Sequence, residues 1–189
     1  VESYYPSSHP LALGVRNSAD SLVRTAALSL ANGTDRFLTC WTLDDCDGAW
    51  GSQHYGCIGL ISRKPENNPK PAAPAFATMT QLLDTAQFDG FVPTGSRSAY
   101  CLRFKEAPNK FIYCLWTIRG KRAITLHLKS AADKSGEMFV VDENGNSTPQ
   151  TAADRKVTLE LSPTPAWFAA VRNSVERAEI GPAIYDEQP

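Results

Sequence analysis

The chain has 189 residues, enough for one large domain or two small ones with a real hydrophobic core. Its 19 basic and 20 acidic side chains leave a net charge of -1, which excludes the electrostatic footprint of a general nucleic-acid binder. Hydrophobic residues make up 42% of the chain, which excludes compositional disorder, and no apolar run approaches the ~20 residues of a membrane-spanning helix. We therefore predict no nucleic-acid and no membrane partner.

The first half of the chain predicts alternating helices and strands. The chain opens without an initiator Met, on a segment typical of a strand end, so we expect a mature or cut amino terminus. A helix is predicted from a cap at Asn17 or Ser18 to a stop at Asn32-Gly33. The run from Arg36 to Leu43 favours a buried parallel strand, and an elaborated loop follows it. A second helix is predicted from about Ala72 to Thr85, with Pro71 and Pro74 near its first turn and an apolar stripe of Phe76, Met79, Leu82 and Leu83.

After Gly90 the hydrophobic period changes from helical to two. Short strands separated by turn signals indicate an antiparallel β-sandwich, with a domain boundary that divides the chain into residues 1–90 and 91–189. Trp116, Tyr113 and Trp167 within these strands are predicted to be core, and the tail after Ala178 to be frayed. His127 is predicted to point away from the face that carries Leu126 and Leu128, as an exposed polar side chain. The predicted strands are Ser98–Lys105, Lys110–Ile118, Ala123–Lys129, Glu137–Asp142, Lys156–Leu161 and Ala166–Val171.

Five cysteines are an odd number, so at least one thiol is free or pairs with another chain. Cys101 and Cys114 lie symmetrically about a predicted turn, which would place them opposite each other on neighbouring strands. Either a cross-strand disulfide or a packed pair of small side chains fits this position. The remaining three cysteines have neither CxxC spacing nor accompanying histidines. We therefore predict no metal, and no motif indicates a cofactor.

Several segments together resemble a known family. One segment is similar to a final barrel strand, Phe37-Leu38-Thr39-Cys40-Trp41. Another is similar to the segment that returns from the loop after this strand, His54-Tyr55-Gly56-Cys57-Ile58-Gly59-Leu60-Ile61. A third is similar to the start of the last barrel helix, Lys70-Pro71-Ala72. The segments Tyr100–Phe104 and Tyr113–Thr117 resemble strands of an accessory sandwich. With Val1-Glu2-Ser3 and the helix from Ala19 to Gly33, they resemble the carboxy-terminal part of a retaining (β/α)8-barrel glycoside hydrolase, over about residues 1–171.

The resemblance implies an α+β fold, in which the end of a (β/α)8 barrel is followed by a small antiparallel β-sandwich. It implies that Glu2 is the nucleophile of glycosidic bond cleavage with retention. Trp41 would stack on a sugar ring, while Asp44 and Asp45 would accept hydrogen bonds from its hydroxyl groups, with Tyr4 and Tyr5 in the same cleft. The alternatives are a frayed terminal Glu, a core Trp, loop-capping aspartates and ordinary loop packing of the tyrosines.

In this family the acid/base Glu lies upstream of the segment that the chain resembles, so we expect the isolated chain to be inactive. The expected partners are a carbohydrate substrate and either the amino-terminal remainder of the polypeptide or a second copy of the chain, because a cut barrel exposes strand edges and apolar helix faces. The family also suggests a secreted or periplasmic protein. In the alternative function, the sandwich is a non-catalytic carbohydrate-binding or structural module. Exposed, coplanar aromatic side chains on a sheet face would favour this alternative, and burial of Trp116 and Trp167 would count against it.

Overall fold

The computed structural model of the chain describes residues 14–37, 59–62, 67–129, 138–171 and 174–184. These residues contain two α-helices and nine β-strands, an α+β composition in which every strand pairing is antiparallel. The chain divides into two units, Val1–Met79 and Thr80–Pro189. The domain boundary that the sequence predicts after residue 90 stays a prediction, as does the barrel. Most of the predicted strand Arg36–Leu43 lies outside the described residues.

Helix α1 spans Gly14–Ala31 and ends where the sequence predicts. Gly33 has a φ of 86°, its amide donates to the Leu30 carbonyl at 3.1 Å, and the Thr34 amide donates to the Ser29 carbonyl at 3.0 Å. This pair of bonds is a Schellman motif, in which a left-handed glycine lets the chain satisfy the last helical carbonyls. The predicted caps Asn17 and Ser18 instead lie inside the helix, which begins at Gly14.

Helix α2 spans Ala72–Leu83, so the predicted helix is confirmed and ends two residues earlier than expected. Pro74 lies in its first turn, where the missing amide hydrogen costs no helical bond. Ala75, Met79 and Leu83 are buried, in agreement with a spacing of about four residues along one helical face. Before the helix, Ile61 and Pro69 form an isolated antiparallel β-bridge.

The nine strands form two antiparallel sheets. The strands are β1 Gln87–Phe91, β2 Ala99–Ala107, β3 Lys110–Thr117, β4 Arg122–Leu128, β5 Met138–Val141, β6 Ser147–Pro149, β7 Lys156–Leu161, β8 Ala166–Val171 and β9 Val175–Ile180. The six-stranded sheet has the order β1-β2-β3-β8-β5-β6, and the three-stranded sheet has the order β7-β4-β9. All six predicted strands are present with ends within two residues of the prediction.

Three strands were absent from the sequence prediction, each for a local reason. β1 contains Asp89 and Gly90 and has a register shift at that point, so its alternation is broken. β6 is three exposed residues that end in Pro149. β9 has a register shift against β4 near its start, and it extends to Ile180, so the expectation of a frayed tail after Ala178 was wrong for the first residues.

The two sheets share one hydrophobic core. Alternate residues of each strand face this core, which accounts for the period of two in the sequence. Tyr113 on β3 lies within it, and its hydroxyl oxygen accepts a 2.7 Å hydrogen bond from the backbone amide of Val175 on β9. The six-stranded sheet contributes Cys101, Tyr113, Leu115, Met138, Phe168 and Ala170, and the three-stranded sheet Ile124, Leu126, Leu128, Val157, Leu161, Val175 and Ala178.

The opposite face of the six-stranded sheet is also apolar and buried. Strand register places Leu102, Cys114 and Trp167 side by side, and Phe104 opposite Ile112 in a neighbouring row. Each of these side chains is at most 1% exposed. The centre of this sheet is therefore internal on both faces, unlike the three-stranded sheet.

The predicted placement of Cys101 opposite Cys114 was wrong. Cys101 pairs with Leu115 and Cys114 pairs with Leu102, one residue away from the predicted register. The hairpin closes at Ala107 and Lys110, later in the chain than symmetry between the two cysteines requires, and the irregularity between Lys105 and Ala107 corrects only part of this displacement. Since side chains alternate between faces, a shift of one residue puts the two thiols on opposite sides of the sheet. Both cysteines are free, and burial raises the pKa of the Cys101 thiol to about 12.

Candidate functional site

All of the residues predicted to act on a sugar lie outside the described residues. These are Glu2, Tyr4, Tyr5, Trp41, Asp44 and Asp45. Their roles stay predictions.

The aromatic residues predicted to be core are confirmed as core. Tyr113 is fully buried, and Trp116 and Trp167 are each 1% exposed. Trp116 stacks on Tyr100 with ring centroids 4.8 Å apart and planes within 7°. Trp116 and Trp167 therefore have no face open to a sugar ring. Their burial counts against the alternative function, in which exposed aromatic side chains on a sheet face would bind the sugar.

The three-stranded sheet has a polar outer face, on the side away from the shared core. Its central strand β4 places His127 directly between Lys156 of β7 and Arg177 of β9. In the next row Thr125 lies between Thr158 and Glu179, and the two threonine hydroxyl oxygens are 3.2 Å apart. The face thus carries a row of three basic side chains beside a row that ends in a carboxylate.

Glu179 links the two rows. Its carboxylate pairs with the Arg177 guanidinium, and its Oε2 lies 3.2 Å from Nε2 of His127. The hydrogen bond from Arg177, followed by the proximity of His127, holds the pKa of Glu179 below its usual value. The carboxylate is therefore charged over a wider pH range than an isolated Glu, and it offsets part of the positive charge of the neighbouring row.

His127 points away from the face of Leu126 and Leu128, as predicted, but it is not an exposed side chain. Its side chain is 12% exposed, and Nε2 is shielded from solvent without a hydrogen bond of good geometry. His127 lies on the central strand of its sheet, between Lys156 and Arg177 on the two neighbouring strands. Alternation along a strand predicts the face of the sheet on which a side chain lies, but it does not predict how exposed that side chain is.

A tight turn brings two further charges to this end of the sheet. Asp154 and Arg155 both have positive φ, 50° and 61°, and the flanking Ala153 and Lys156 exchange two backbone hydrogen bonds of 3.0 and 2.8 Å. Two consecutive left-handed residues inside such a pair form the type I′ turn that suits a two-residue hairpin. The Arg155 carbonyl also accepts a 2.8 Å bond from the Leu128 amide, which joins the turn to the end of β4.

These elements enclose a surface depression of about 240 Å³. Its lining is charged and polar except for Leu128. No sequence motif marks this depression, because its lining residues come from three strands and a turn. Of these residues, the sequence analysis singles out only His127. The lining residues are His127, Leu128, Asp154, Arg155, Lys156, Glu176 and Arg177.

In the part of the chain that the structure describes, no group of three or more His, Cys, Asp or Glu side chains could hold a metal ion. Neither of the two described helices is long and apolar enough to cross a membrane.

Comparison with known proteins gives a fold relationship. No family model matches the chain, and no curated protein matches it. Among solved structures, a family 39 glycoside hydrolase from the gut symbiont Bacteroides cellulosilyticus WH2 superposes with a TM-score of 0.62 and 22% identity, over 80% of this chain. The chain shares its fold with part of that enzyme. It spans only 30% of that enzyme's length.

Two further solved structures are alpha-amylases with weaker similarity. One is a noncanonic maltogenic alpha-amylase, AmyB, from Thermotoga neapolitana, with a TM-score of 0.44 and 8% identity over 82% of this chain and 37% of that chain. The other is an Anoxybacillus alpha-amylase, with a TM-score of 0.42 and 8% identity over 65% of this chain and 26% of that chain. At these scores neither match bears on the fold.

Proposed function

We propose that the chain is the carboxy-terminal part of a retaining (β/α)8-barrel glycoside hydrolase. Residues 1–90 would be the last barrel units, and residues 91–189 an accessory β-sandwich. The observation that carries the proposal is the shared fold with a family 39 glycoside hydrolase, which covers most of this chain but less than a third of the enzyme. The sequence resemblance over residues 1–171 supports the same relationship from side-chain identities rather than backbone shape.

The proposed chemistry begins at Glu2. In a retaining mechanism one carboxylate attacks the anomeric carbon, while a second carboxyl group, about 5–5.5 Å away, protonates the departing oxygen. Glu2 would be the attacking group, and the acid/base would come from the amino-terminal part of the barrel. Trp41 would stack on the sugar, and Asp44 and Asp45 would accept hydrogen bonds from its hydroxyl groups.

The proposal includes a partner and a location. The isolated chain would be inactive, because one carboxyl group cannot serve both steps. The strand edges and helix faces of the last barrel units would pack against the amino-terminal remainder of the same polypeptide, or against a second copy of the chain. The family resemblance suggests a secreted or periplasmic protein.

Covalent labelling tests the nucleophile. The protein that contains this chain would be treated with activated 2-deoxy-2-fluoro glycosides of glucose, galactose and xylose, which trap a glycosyl-enzyme intermediate. Peptide mapping should find one fluorosugar on Glu2, and Glu2→Gln should abolish labelling. Glu160→Gln, a matched change on the exposed end of β7, should leave labelling intact.

Two results would overturn the proposal. One is a label on a carboxylate outside this chain. The other is hydrolysis of aryl glycosides by the isolated 189-residue chain that disappears in Glu2→Gln, which would show that the second carboxyl group is already present.

A further inference from the structure

Strand β1 lies at one edge of the six-stranded sheet, and a β-bulge interrupts it. Asp89 and Gly90 together lie opposite Arg103 of β2, so β1 carries one extra residue at this point. Gly90 has a φ of 130°, which favours glycine, and the Asp89 carboxylate accepts a 2.6 Å hydrogen bond from the Arg103 guanidinium. Phe88 and Phe91 would face opposite sides of a regular strand, whereas the bulge places both on the same face.

This face of the sheet is the apolar one that points away from the shared core. Phe88 pairs with Phe104 and Phe91 pairs with Leu102, and both partners are at most 1% exposed. The centroid of the Phe88 ring lies 5.7 Å from that of Phe104 and 5.2 Å from that of Phe91, in edge-to-face geometry. Phe91, however, is 55% exposed. The face is therefore covered at its centre and uncovered at its β1 edge.

Phe91 differs from an isolated apolar side chain on a surface, which needs no partner. It is the last member of a row that continues through Leu102, Cys114 and Trp167 on the next three strands, and of these four residues only Phe91 is exposed. Burial of its remaining surface would extend the apolar row to the edge of the sheet. Such burial is favourable in proportion to the apolar area removed from water.

We propose that the β1 edge, formed by Phe88 and Phe91, binds the amino-terminal remainder of the same polypeptide. The inference rests on the proposed function and on the length of chain outside the structure, because this chain spans only 30% of the family 39 enzyme whose fold it shares. In a protein of that length most residues would precede residue 1. An apolar segment among them would pack on the Phe91 ring and cover the edge strand, as proteins commonly do with a free edge.

The bulge favours this occupant over a second copy of the chain. Two copies could pair edge to edge only through a regular ladder of backbone hydrogen bonds along β1, and the extra residue at Asp89 and Gly90 interrupts that ladder. Side-chain packing on the two phenylalanine rings needs no continuous ladder. The partner that fits the β1 edge is therefore an apolar surface of a neighbouring domain rather than another edge strand.

Site-specific photo-crosslinking in the protein that contains this chain identifies the occupant. Benzoylphenylalanine would replace Phe91, and in a control protein it would replace Ile184, which is 64% exposed and bridges to the segment before β4 of the other sheet. We expect position 91 to crosslink to a peptide upstream of residue 1 in a monomer-sized product, and position 184 to give no such product. The proposal is overturned if position 91 crosslinks to a second copy, only within the 189-residue chain or not at all, or if both positions give the same upstream product.

Thiol protection gives a second measurement on the same protein. Phe91→Cys should react with iodoacetamide at least about tenfold more slowly than Ile184→Cys, as followed by peptide mapping, because a packed partner excludes the reagent. Equal rates at the two positions would overturn the proposal, since position 91 would then be open to solvent. Neither measurement uses a sugar or Glu2, so a failure of this interface and a failure of the labelling test are separate results.

Discussion

The hydrogen bond between Tyr113 and Val175 predicts a measurable difference in stability. Tyr113 is fully buried, and its hydroxyl oxygen is the acceptor for the Val175 amide across 62 residues of sequence. Tyr113→Phe keeps the ring but leaves this buried amide without its acceptor. An unsatisfied buried donor costs about 1–3 kcal/mol, so we expect the variant to lose about that much free energy of unfolding.

The assay is urea unfolding of the two-sheet unit within the whole chain, with hydrogen exchange at the Val175 amide as a local readout. Tyr100→Phe is the matched control, because Tyr100 keeps its stacking on Trp116 through the ring alone. We expect the control to change stability by less than about 0.5 kcal/mol. The reasoning is refuted if Tyr113→Phe lowers the free energy of unfolding no more than this control does and hydrogen exchange at the Val175 amide is unchanged. In that case the hydrogen bond does not stabilise the contact between the two sheets.

The pH dependence of the same variant provides a second check. Burial raises the pKa of Tyr113 above its ordinary value, so the neutral phenol is favoured in the folded state. Above about pH 10 the unfolded chain releases this proton while the folded chain retains it, and stability falls as pH rises. Tyr113→Phe lacks this proton, so its stability disadvantage should shrink from pH 9 to pH 11. A constant difference over that range would contradict the assignment.

Three further predictions follow from other parts of the structure. The buried thiols of Cys101 and Cys114 should stay unmodified by a thiol reagent at pH 8 in the folded chain and react after unfolding in urea, as peptide mapping would show; modification of either one in the folded chain would contradict its burial. Glu179→Gln should lower the stability to urea at pH 7, because the low pKa of Glu179 keeps its carboxylate charged and paired in the folded chain. The difference in stability between wild type and variant should vanish in acid, where the wild-type carboxylate is protonated. A difference that persists at pH 2 would exclude this electrostatic origin. Gly33→Ala should cost about 1–2 kcal/mol through backbone conformation alone, because the φ of 86° is left-handed and no atom lies within 4 Å of an added Cβ; unchanged urea stability would show that α1 can end in another way.

The sequence was most informative where local chemistry decides structure. The Asn32-Gly33 stop of α1, the proline-rich start of α2 and the period of two after Gly90 are properties of a few neighbouring residues. Each of these predictions is confirmed, because caps, prolines and alternation act on the backbone over short distances. The sequence also identified Trp116 and Trp167 as core residues, because large aromatic side chains within alternating strands are more stable away from water.

The tertiary structure decided what depends on register and on neighbours. A one-residue shift between β2 and β3 separated Cys101 from Cys114, and no local signal in the turn specified it. The row of Lys156, His127 and Arg177 joins strands that are far apart in the sequence, so the charged depression became visible only once the strand order was known. Sequence alone determines the direction in which a side chain leaves its strand, whereas pairing between strands determines which charges it meets.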